Sequence, residues 1–300
     1  MVNKINLLFL FCFIDDFCLE FEPTWNEKLI GNKLTVSERM TLAEVLTILI
    51  LFQTSGWRCF KNFYRNIEEY HRKDFPKLLS YGRFVEIKSR ASIPLNCLLQ
   101  FVMGDCSGEG FIDATPLKVC HNKRIYDHKV FKNIAKRGKS TMGWFFGFKI
   151  HIVCNTKGEL LSFRLTKGNC DDRKMVMGLC KNMFGKIYAD KGYISKKLFE
   201  EMMDIGIKIV TQMKKNMKAK PMILEESIML KKRSLIESVF HILKDMLHLD
   251  HSRHRSPKNF LINILAALTA YCFYPNKPSI RLEKHEMQNF SALNKSFLIA

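Results

Sequence analysis

Residues 144–165 read WFFGFKIHIVCNTKGELLSFRL, and this segment predicts a β-sheet more clearly than any other part of the chain. Two runs rich in aromatic and β-branched residues, Trp144–Cys154 and Leu160–Leu165, flank the tetrapeptide Asn155–Gly158. Apolar runs separated by a short segment with Asn and Gly are typical of a β-hairpin. We therefore expect two paired strands joined by a turn at Asn155–Gly158.

Strands and helices are predicted to alternate around this hairpin. A short strand is expected before it, and helices and strands in turn after it: strand Phe111–Ala114, a helix from Asp171–Asp172 through Cys180, strand Lys186–Ala189, helix Ser195–Ile205 and strand Ile207–Thr211. Strands followed by alternating strands and helices form a mixed α/β sheet flanked by helices. We assign this α/β region to residues 93–278.

The preceding region, residues 1–92, is predicted to be all-helical. Apolar side chains recur at helical spacing between Leu34 and about Gln53, and a second amphipathic segment runs from Trp57 to Tyr70. The apolar run Leu7–Ile14 is too short for a membrane span and lacks a cleavage site, so it predicts a buried helix. Near the other end of the chain, Phe260–Phe273 predicts a core helix that ends before Pro275.

The charge balance and the cysteines limit the class of protein. Lys and Arg outnumber Asp and Glu by 48 to 29, a formal net charge of +19. Such a surplus favours a polyanionic partner, because cations that neutralise phosphates release counterions. The ten cysteines are scattered and include no Cys-x-x-Cys. This favours a reduced, cytoplasmic protein over a disulfide framework.

Three acidic residues stand where a metal site could form: Asp113 in FIDATP, Asp190 in IYADKGY and Glu237 in LIESVF. The first two follow apolar runs whose strands would bring a carboxylate to the rim of a sheet, and the third lies in a helix-like stretch. Mg²⁺ prefers carboxylate oxygens, and two such ions can activate a hydroxyl and neutralise phosphoryl charge. We expect a phosphoryl-transfer site in which Asp113 bridges two Mg²⁺ ions, with Mn²⁺ as an alternative, Asp190 holds one ion and Glu237 the other.

Basic residues near these acids are candidates for DNA binding. Arg233 lies four residues before Glu237 and Lys244 seven after it, which would place all three on one helical face. The basic stretch His121–Lys139 is either a DNA contact or a solvated loop. The candidates are Lys123, Arg124, Lys129, Lys136, Arg137, Lys191, Arg233, Lys244, Arg253 and Arg255.

Other polar residues near these motifs are given structural roles. Asp171 and Asp172 are adjacent, so their side chains point in different directions, and they are expected to cap a helix. Asp105 and Glu109 are expected in a loop before the first strand. His241, four residues beyond Glu237, is expected to be a neutral histidine on a mixed helix face.

Several motifs, in order and at high density, resemble the DDE-type transposases of bacterial insertion sequences. They are Asp113 in IDATPL, Gly143–His151 (GWFFGFKIH), Leu165–Arg173 (LTKGNCDDR), Ala189–Tyr193 (ADKGY) and Arg233-x3-Glu237-x6-Lys244. Three flanking stretches narrow the resemblance to the family numbered nine-eight-two: Ser80–Val85 (SYGRFV), Cys120–Arg124 (CHNKR) and His251–Ser256 (HSRHRS). The resemblance covers about Ile14 to Ser279.

This resemblance implies an RNase H-like core in which Asp113, Asp190 and Glu237 are the catalytic, metal-binding triad. It implies hydrolytic cutting of double-stranded DNA at the terminal inverted repeats, followed by attack of the freed 3′-hydroxyl on target DNA. Residues 1–92 would help to bind the element's ends, and residues 279–300 would be a tail outside the resemblance. Such an enzyme would act as a homodimer or larger assembly on DNA in the bacterial cytoplasm, at the nucleoid. Tyr193 would be structural or a DNA contact, because the reaction needs no covalent protein intermediate.

Two positions depart from the family pattern and leave two other functions open. Leu230 stands where related transposases often have Tyr, and Phe240 where they often have a polar residue. The first alternative is a catalytically inactive, DNA-binding relic of a transposase. The second is a stand-alone RNase H-like nuclease, which would hydrolyse nucleic acid without joining it to a target.

Overall fold

The computed structural model describes residues 6–28, 39–213, 222–250 and 254–281. The chain divides into two compact units, each built from separate stretches of sequence. The first unit comprises 1–103, 117–134 and 241–276, and the second comprises 104–116, 135–240 and 277–300. The boundaries expected at residues 92 and 278 stay predictions. Most of the expected tail lies outside the described residues.

The described residues form ten α-helices and six strands. The helices are α1 Leu7–Lys28, α2 Leu42–Thr54, α3 Phe60–Tyr70, α4 Tyr81–Ile87, α5 Ser92–Val102, α6 Arg173–Leu179, α7 Lys196–Asp204, α8 Leu224–Lys231, α9 Ser234–His241 and α10 Pro257–Cys272. The strands are β1 Glu109–Cys120, β2 Lys136–Ser140, β3 Gly143–Asn155, β4 Leu160–Lys167, β5 Gly185–Ala189 and β6 Ile207–Thr211. Short 3-10 turns span Lys88–Ala91, Asn122–Arg124 and Lys191–Tyr193, and a π-helical segment spans Ile242–Met246.

The first unit is built around the apolar helices α2 and α10. Helix α10 packs against α2 and α5, and α1 packs against α2. Helix α2 begins after Thr41, whose hydroxyl accepts a hydrogen bond from the backbone N–H of Glu44 while the Glu44 carboxylate accepts one from the backbone N–H of Thr41. The expected start of this helix, between Leu34 and residue 38, lies outside the described residues. None of the described helices combines the length and apolar content of a membrane span.

The second unit contains a mixed sheet with the strand order β2-β3-β1-β5-β6, and β4 pairs with β3 as well. Strands β1, β5 and β6 are parallel, whereas β2 and β4 run antiparallel to β3. Helices α6, α7 and α8 pack against the strands of the sheet. The prediction of an RNase H-like α/β sheet flanked by helices and preceded by an all-helical region is thereby confirmed.

The predicted hairpin joins β3 and β4. The Asn155 side-chain oxygen accepts hydrogen bonds from the backbone N–H groups of Lys157 and Glu159, both at 3.0 Å. Gly158 has φ +71°, and a Cβ there would lie 2.1 Å from the carbonyl oxygen of Pro278. Glycine is therefore needed in this turn for both its conformation and its small size.

Two sequence expectations are wrong in detail. The first strand is longer than expected, so Glu109 is its first residue and not part of a loop. Strand β2 begins inside the basic stretch His121–Lys139, which was expected to be either a DNA contact or a solvated loop and in which no strand was predicted. Its sequence, KRGKS, lacks apolar alternation, and the strand is defined by its backbone pairing with Gly143–Gly147.

Candidate active site

Asp113 lies on β1 directly after the buried residues Phe111 and Ile112. Its side chain is 24% exposed, and its Oδ1 accepts a hydrogen bond from the backbone N–H of Ala114 at 2.8 Å. The pKa of this carboxyl is raised to about 6, chiefly by burial and also by the charges of Asp190 and Glu237, against the opposing effects of the Ala114 N–H and Arg233. The ionised form of Asp113 is thus destabilised, mainly because the carboxyl is buried.

Asp190 follows β5, the parallel neighbour of β1. In this pairing Phe111 lies opposite Tyr188, and Asp113 and Asp190 each follow these residues by two positions. The two aspartates therefore lie at equivalent positions just beyond the paired part of β1 and β5. The Asp190 Oδ1 accepts the backbone N–H of Gly192 at 2.7 Å, at the start of the turn Lys191–Tyr193.

The third acid, Glu237, is connected to Asp113 through an arginine. Arg233 stands just before α9, and its Nη1 lies 3.4 Å from Asp113 Oδ2. Its Nη2 lies 2.9 Å from the Glu237 Oε1 on the next helical turn. The structure therefore brings together the three acids named by the sequence, with one guanidinium group between two of them.

Three carboxylates are suitable ligands for a divalent cation, although in the structure each of them pairs with another group of the protein. Among the described residues, no group of three His, Cys, Asp or Glu side chains is arranged closely enough to hold a metal ion. Asp113 and Glu237 instead pair with Arg233, and Asp190 accepts a backbone N–H. A divalent cation that prefers oxygen ligands would stabilise the ionised form of Asp113, whose pKa is raised by burial and by the other two acids.

Asp172, expected only to cap a helix, belongs to a polar cluster with Lys149 and His151. It is the N-cap residue of α6 but its side chain makes no capping hydrogen bond; Asp171 accepts the backbone N–H of Arg173 instead. The Asp172 Oδ1 lies 2.8 Å from Lys149 Nζ and 3.8 Å from His151 Nδ1. Burial lowers the pKa of His151 to about 4, so this histidine is neutral at physiological pH.

Three DNA-binding candidates in the second unit are exposed residues. Lys136 and Arg137 are on β2, and Lys191 follows Asp190. The Arg137 guanidinium carbon lies 4.9 Å from the centre of the Trp144 ring, and Lys139 Nζ lies 5.9 Å from it. Sequence reasoning assigned Trp144 only to a strand, yet its side chain is 52% exposed. The sequence signal for a role of Trp144 in DNA binding was its position shortly after a run of basic residues.

The remaining candidates are in the first unit or outside the described residues. Lys123, Arg124, Lys129 and Arg255 are exposed, whereas Arg253 lies outside the described residues. Lys244 is half-buried in the π-helical segment and lies 3.9 Å from Asp250 Oδ2. Burial lowers its pKa. The α-helical periodicity that linked Arg233, Glu237 and Lys244 ends at His241, where the π-helical segment begins.

His241, the remaining candidate near the acids, has a partner of its own. Its Nδ1 lies 2.7 Å from Asp245 Oδ2, one helical turn further along the chain. Both side chains are 67% exposed. The pairing fits a surface role for His241.

Comparison with known proteins gives one family match. A family model described as "Transposase DDE domain" matches residues 103–257. No curated protein matches the chain. The solved structure of a piggyBac transposase synaptic complex with hairpin DNA is 13% identical, with 97% of this chain and 85% of that chain covered and a TM-score of 0.38. A likeness at this level carries no argument about the site.

Proposed function

The chain belongs to the transposase DDE domain family, and from this membership we propose that it is an insertion-sequence transposase that cuts DNA at element ends and joins the freed 3′-hydroxyl to target DNA. The observation that carries the proposal is the grouping of Asp113, Asp190 and Glu237. Asp113 lies on β1, Asp190 directly after β5 and Glu237 on α9, and burial together with the other two acids raises the pKa of Asp113. A perturbed carboxyl of this kind is common at catalytic sites.

The proposed roles follow from the chemistry of each side chain. Asp113, Asp190 and Glu237 would hold Mg²⁺, with Mn²⁺ as an alternative; bound ions would activate a hydroxyl nucleophile and neutralise charge on the phosphoryl group. Arg233 would then be free to bind phosphate through its planar, five-donor guanidinium group. In the metal-free protein it instead offsets the repulsion between Asp113 and Glu237.

The proposed DNA interface combines exposed cations with one exposed aromatic ring. Lys136, Arg137 and Lys191 of the second unit would contact phosphates. The exposed basic residues of the first unit are separate candidates for phosphate contacts. Trp144, held beside Arg137, would stack on a base that has no neighbour on one face, such as the terminal base at a cut end. Lys244 is the weaker candidate because Asp250 lies near its ammonium group.

We predict that Trp144→Leu weakens binding to DNA with an unpaired end by roughly fivefold, because stacking contributes about 1 kcal/mol or more per base. The salt dependence of binding should not change, since no charge is removed. Lys136→Gln should instead lower the slope of log affinity against log salt by about 1. Fluorescence anisotropy over a salt series measures both. Phe184→Leu, which removes another exposed ring, is the control and should have no effect.

The proposed function is tested with purified protein, Mg²⁺ and DNA that carries the matched terminal repeat. The transposase is expected to cut at the repeat and to join the end to a second DNA. Cutting without joining would support a nuclease and contradict the transposase proposal. Binding without cutting would support the inactive relic. Inverted repeats in the DNA that flanks the reading frame would identify the substrate.

The inactive relic is the second candidate, and two observations favour it. Leu230, where related transposases often have Tyr, is 5% exposed, and Phe240 is 8% exposed. Buried apolar side chains at these positions cannot contact DNA as polar ones would. The finer assignments are proposed on the resemblance to the family numbered nine-eight-two: a homodimer or larger assembly on DNA, in the bacterial cytoplasm at the nucleoid. The absence of disulfides among the ten cysteines is consistent with the cytoplasm.

A further inference from the structure

The side chain of Tyr193 is 3% exposed, and its hydroxyl has no hydrogen-bond partner among the residues that the structure describes. A buried hydroxyl in this state destabilises the folded protein, because it loses hydrogen bonds to water and gains none. A phenylalanine would fill the same space without that cost. Packing alone therefore does not explain why residue 193 carries a hydroxyl group.

The position of Tyr193 is fixed relative to Asp190. The backbone N–H of Tyr193 donates to the Asp190 carbonyl oxygen at 3.2 Å, and the Asp190 carboxylate accepts the N–H of Gly192. A Cβ at Gly192 would lie 2.9 Å from Asp190 Oδ1, so the turn closes tightly because residue 192 is glycine. Tyr193 belongs to the same buried cluster as Ile112 and Ala189, the residues that immediately precede Asp113 and Asp190.

The charged groups near the Tyr193 hydroxyl are mostly carboxylates. Burial raises the pKa of this phenol, and Asp113, Asp172 and Asp190 raise it further, against Arg233. The phenol therefore keeps its proton and is a hydrogen-bond donor surrounded by acceptors. A bond from a hydroxyl to a carboxylate is short and about twice as strong as one between neutral groups.

We propose that Tyr193 is a positioning residue whose hydroxyl donates a hydrogen bond to the Asp113 carboxylate once that carboxylate leaves Arg233. The bond would hold Asp113 in the orientation that the reaction needs. Asp113 is the acceptor because its partner Arg233 is the one that the proposed function releases, whereas the bonds from Lys149 Nζ to Asp172 and from the Gly192 N–H to Asp190 remain. This inference rests on the proposed function, because it assumes that Arg233 is released in the working state.

The test is Tyr193→Phe, for which stability and activity should change in opposite directions. Removal of an unpaired buried hydroxyl should raise the Tm of the metal-free protein by about 2–4 °C. Loss of the positioning bond should lower the rate of DNA cutting about 10-fold with unchanged DNA affinity. It should also reduce the rise in Tm that Mg²⁺ produces. A tyrosine with a purely structural role would leave cutting and the Mg²⁺ effect unchanged.

Tyr188→Phe is the matched control, since Tyr188 is also fully buried but its hydroxyl donates to Glu109 Oε1 at 3.1 Å. This variant should lose about 2–4 °C of Tm and keep its cutting rate. A fall in Tm for Tyr193→Phe, or an unchanged cutting rate, would overturn the proposal. If the wild-type protein does not cut DNA, the proposed function fails by itself. The Mg²⁺-induced Tm shift then still decides: an equal shift in wild type and Tyr193→Phe overturns the inference, and a smaller shift in the variant supports it.

Discussion

Asp113→Asn is expected to abolish DNA cutting and joining while the protein still folds and binds DNA. Asparagine has nearly the shape of aspartate but carries no charge, so it cannot hold a divalent cation as a carboxylate does. The loss should be at least about 1,000-fold, on the scale found when a main electrostatic contribution to catalysis is removed. A gel assay of cutting and an anisotropy assay of binding, on the same preparation, measure the two properties.

The same variant should be more stable than the wild type at neutral pH. The pKa of Asp113 is raised from 3.8 to about 6 in the folded protein. A raised pKa means that this carboxyl's contribution to stability is fully present below about pH 4 and is lost as the pH rises through about 6. Asparagine does not titrate, so Asp113→Asn should gain about 1–2 kcal/mol over the wild type at pH 7–8. Thermal melts with a chelator from pH 4 to pH 8 measure this difference.

Glu109→Gln is the control for the cutting measurement. Glu109 lies on the same strand and burial also raises its pKa, but its partner is the Tyr188 hydroxyl and not the other two acids of the site. Its replacement should leave DNA cutting at the wild-type level. A wild-type cutting rate in Asp113→Asn would refute the assignment of this residue. A lower stability of that variant at pH 8 would refute the account of its pKa.

Arg233→Gln is expected to reduce DNA cutting at least about 100-fold, because the guanidinium group both offsets the carboxylates and is proposed to bind phosphate. Its loss should raise the pKa of Asp113 further, since Arg233 lowers it. The ionised Asp113 would then destabilise the folded state more strongly. The variant should therefore be less stable than the wild type by about 1–3 kcal/mol at pH 8, and the difference should shrink towards pH 4.

Arg173→Gln provides a comparison for this effect. Arg173 also pairs with an aspartate, Asp171, at 2.6 Å, but the two side chains are 44% and 38% exposed. An exposed pair contributes about 0–1 kcal/mol, so its loss should hardly change stability and should not create a pH-dependent difference. If Arg233→Gln behaved like Arg173→Gln in the melts, the partly buried pairing of Arg233 with Asp113 would have no energetic role.

The parts of the fold that the sequence predicted are those with strong local signals. The hairpin around Asn155 and Gly158 was predicted because both residues are required by the turn itself. Strand β6 was predicted at Ile207–Thr211, and α7 follows Ser195, whose hydroxyl accepts the N–H of Leu198. The three acids were predicted because each ends or interrupts an apolar segment, and in the structure Asp190 and Glu237 lie near enough to Asp113 for their charges to raise its pKa. Their metal-binding role stays a prediction.

The features that the sequence did not predict depend on tertiary contacts. Strand β2 has no apolar pattern, since it is defined by its pairing with β3. Asp172 was expected to cap α6, but the ammonium group of Lys149 lies 23 residues earlier in the chain and cannot be inferred from local spacing. The unpaired hydroxyl of Tyr193 is a property of its surroundings. The end of α-helical periodicity at His241 likewise has no clear local signal.

The parallel pairing of β1 with β5 has a consequence for how mutations in the core should affect the site. Side chains alternate between the two faces of a strand, so a slip of one residue would turn Asp113 away from Asp190. A slip would also move Ile112 and Ile187, which are buried on one face of the sheet, onto the face where Phe111 stacks on Tyr188, so apolar packing opposes it. The alignment of Asp113 with Asp190 thus depends on apolar side chains that take no part in the reaction. Inactivating changes can therefore arise at core positions whose side chains never approach the substrate.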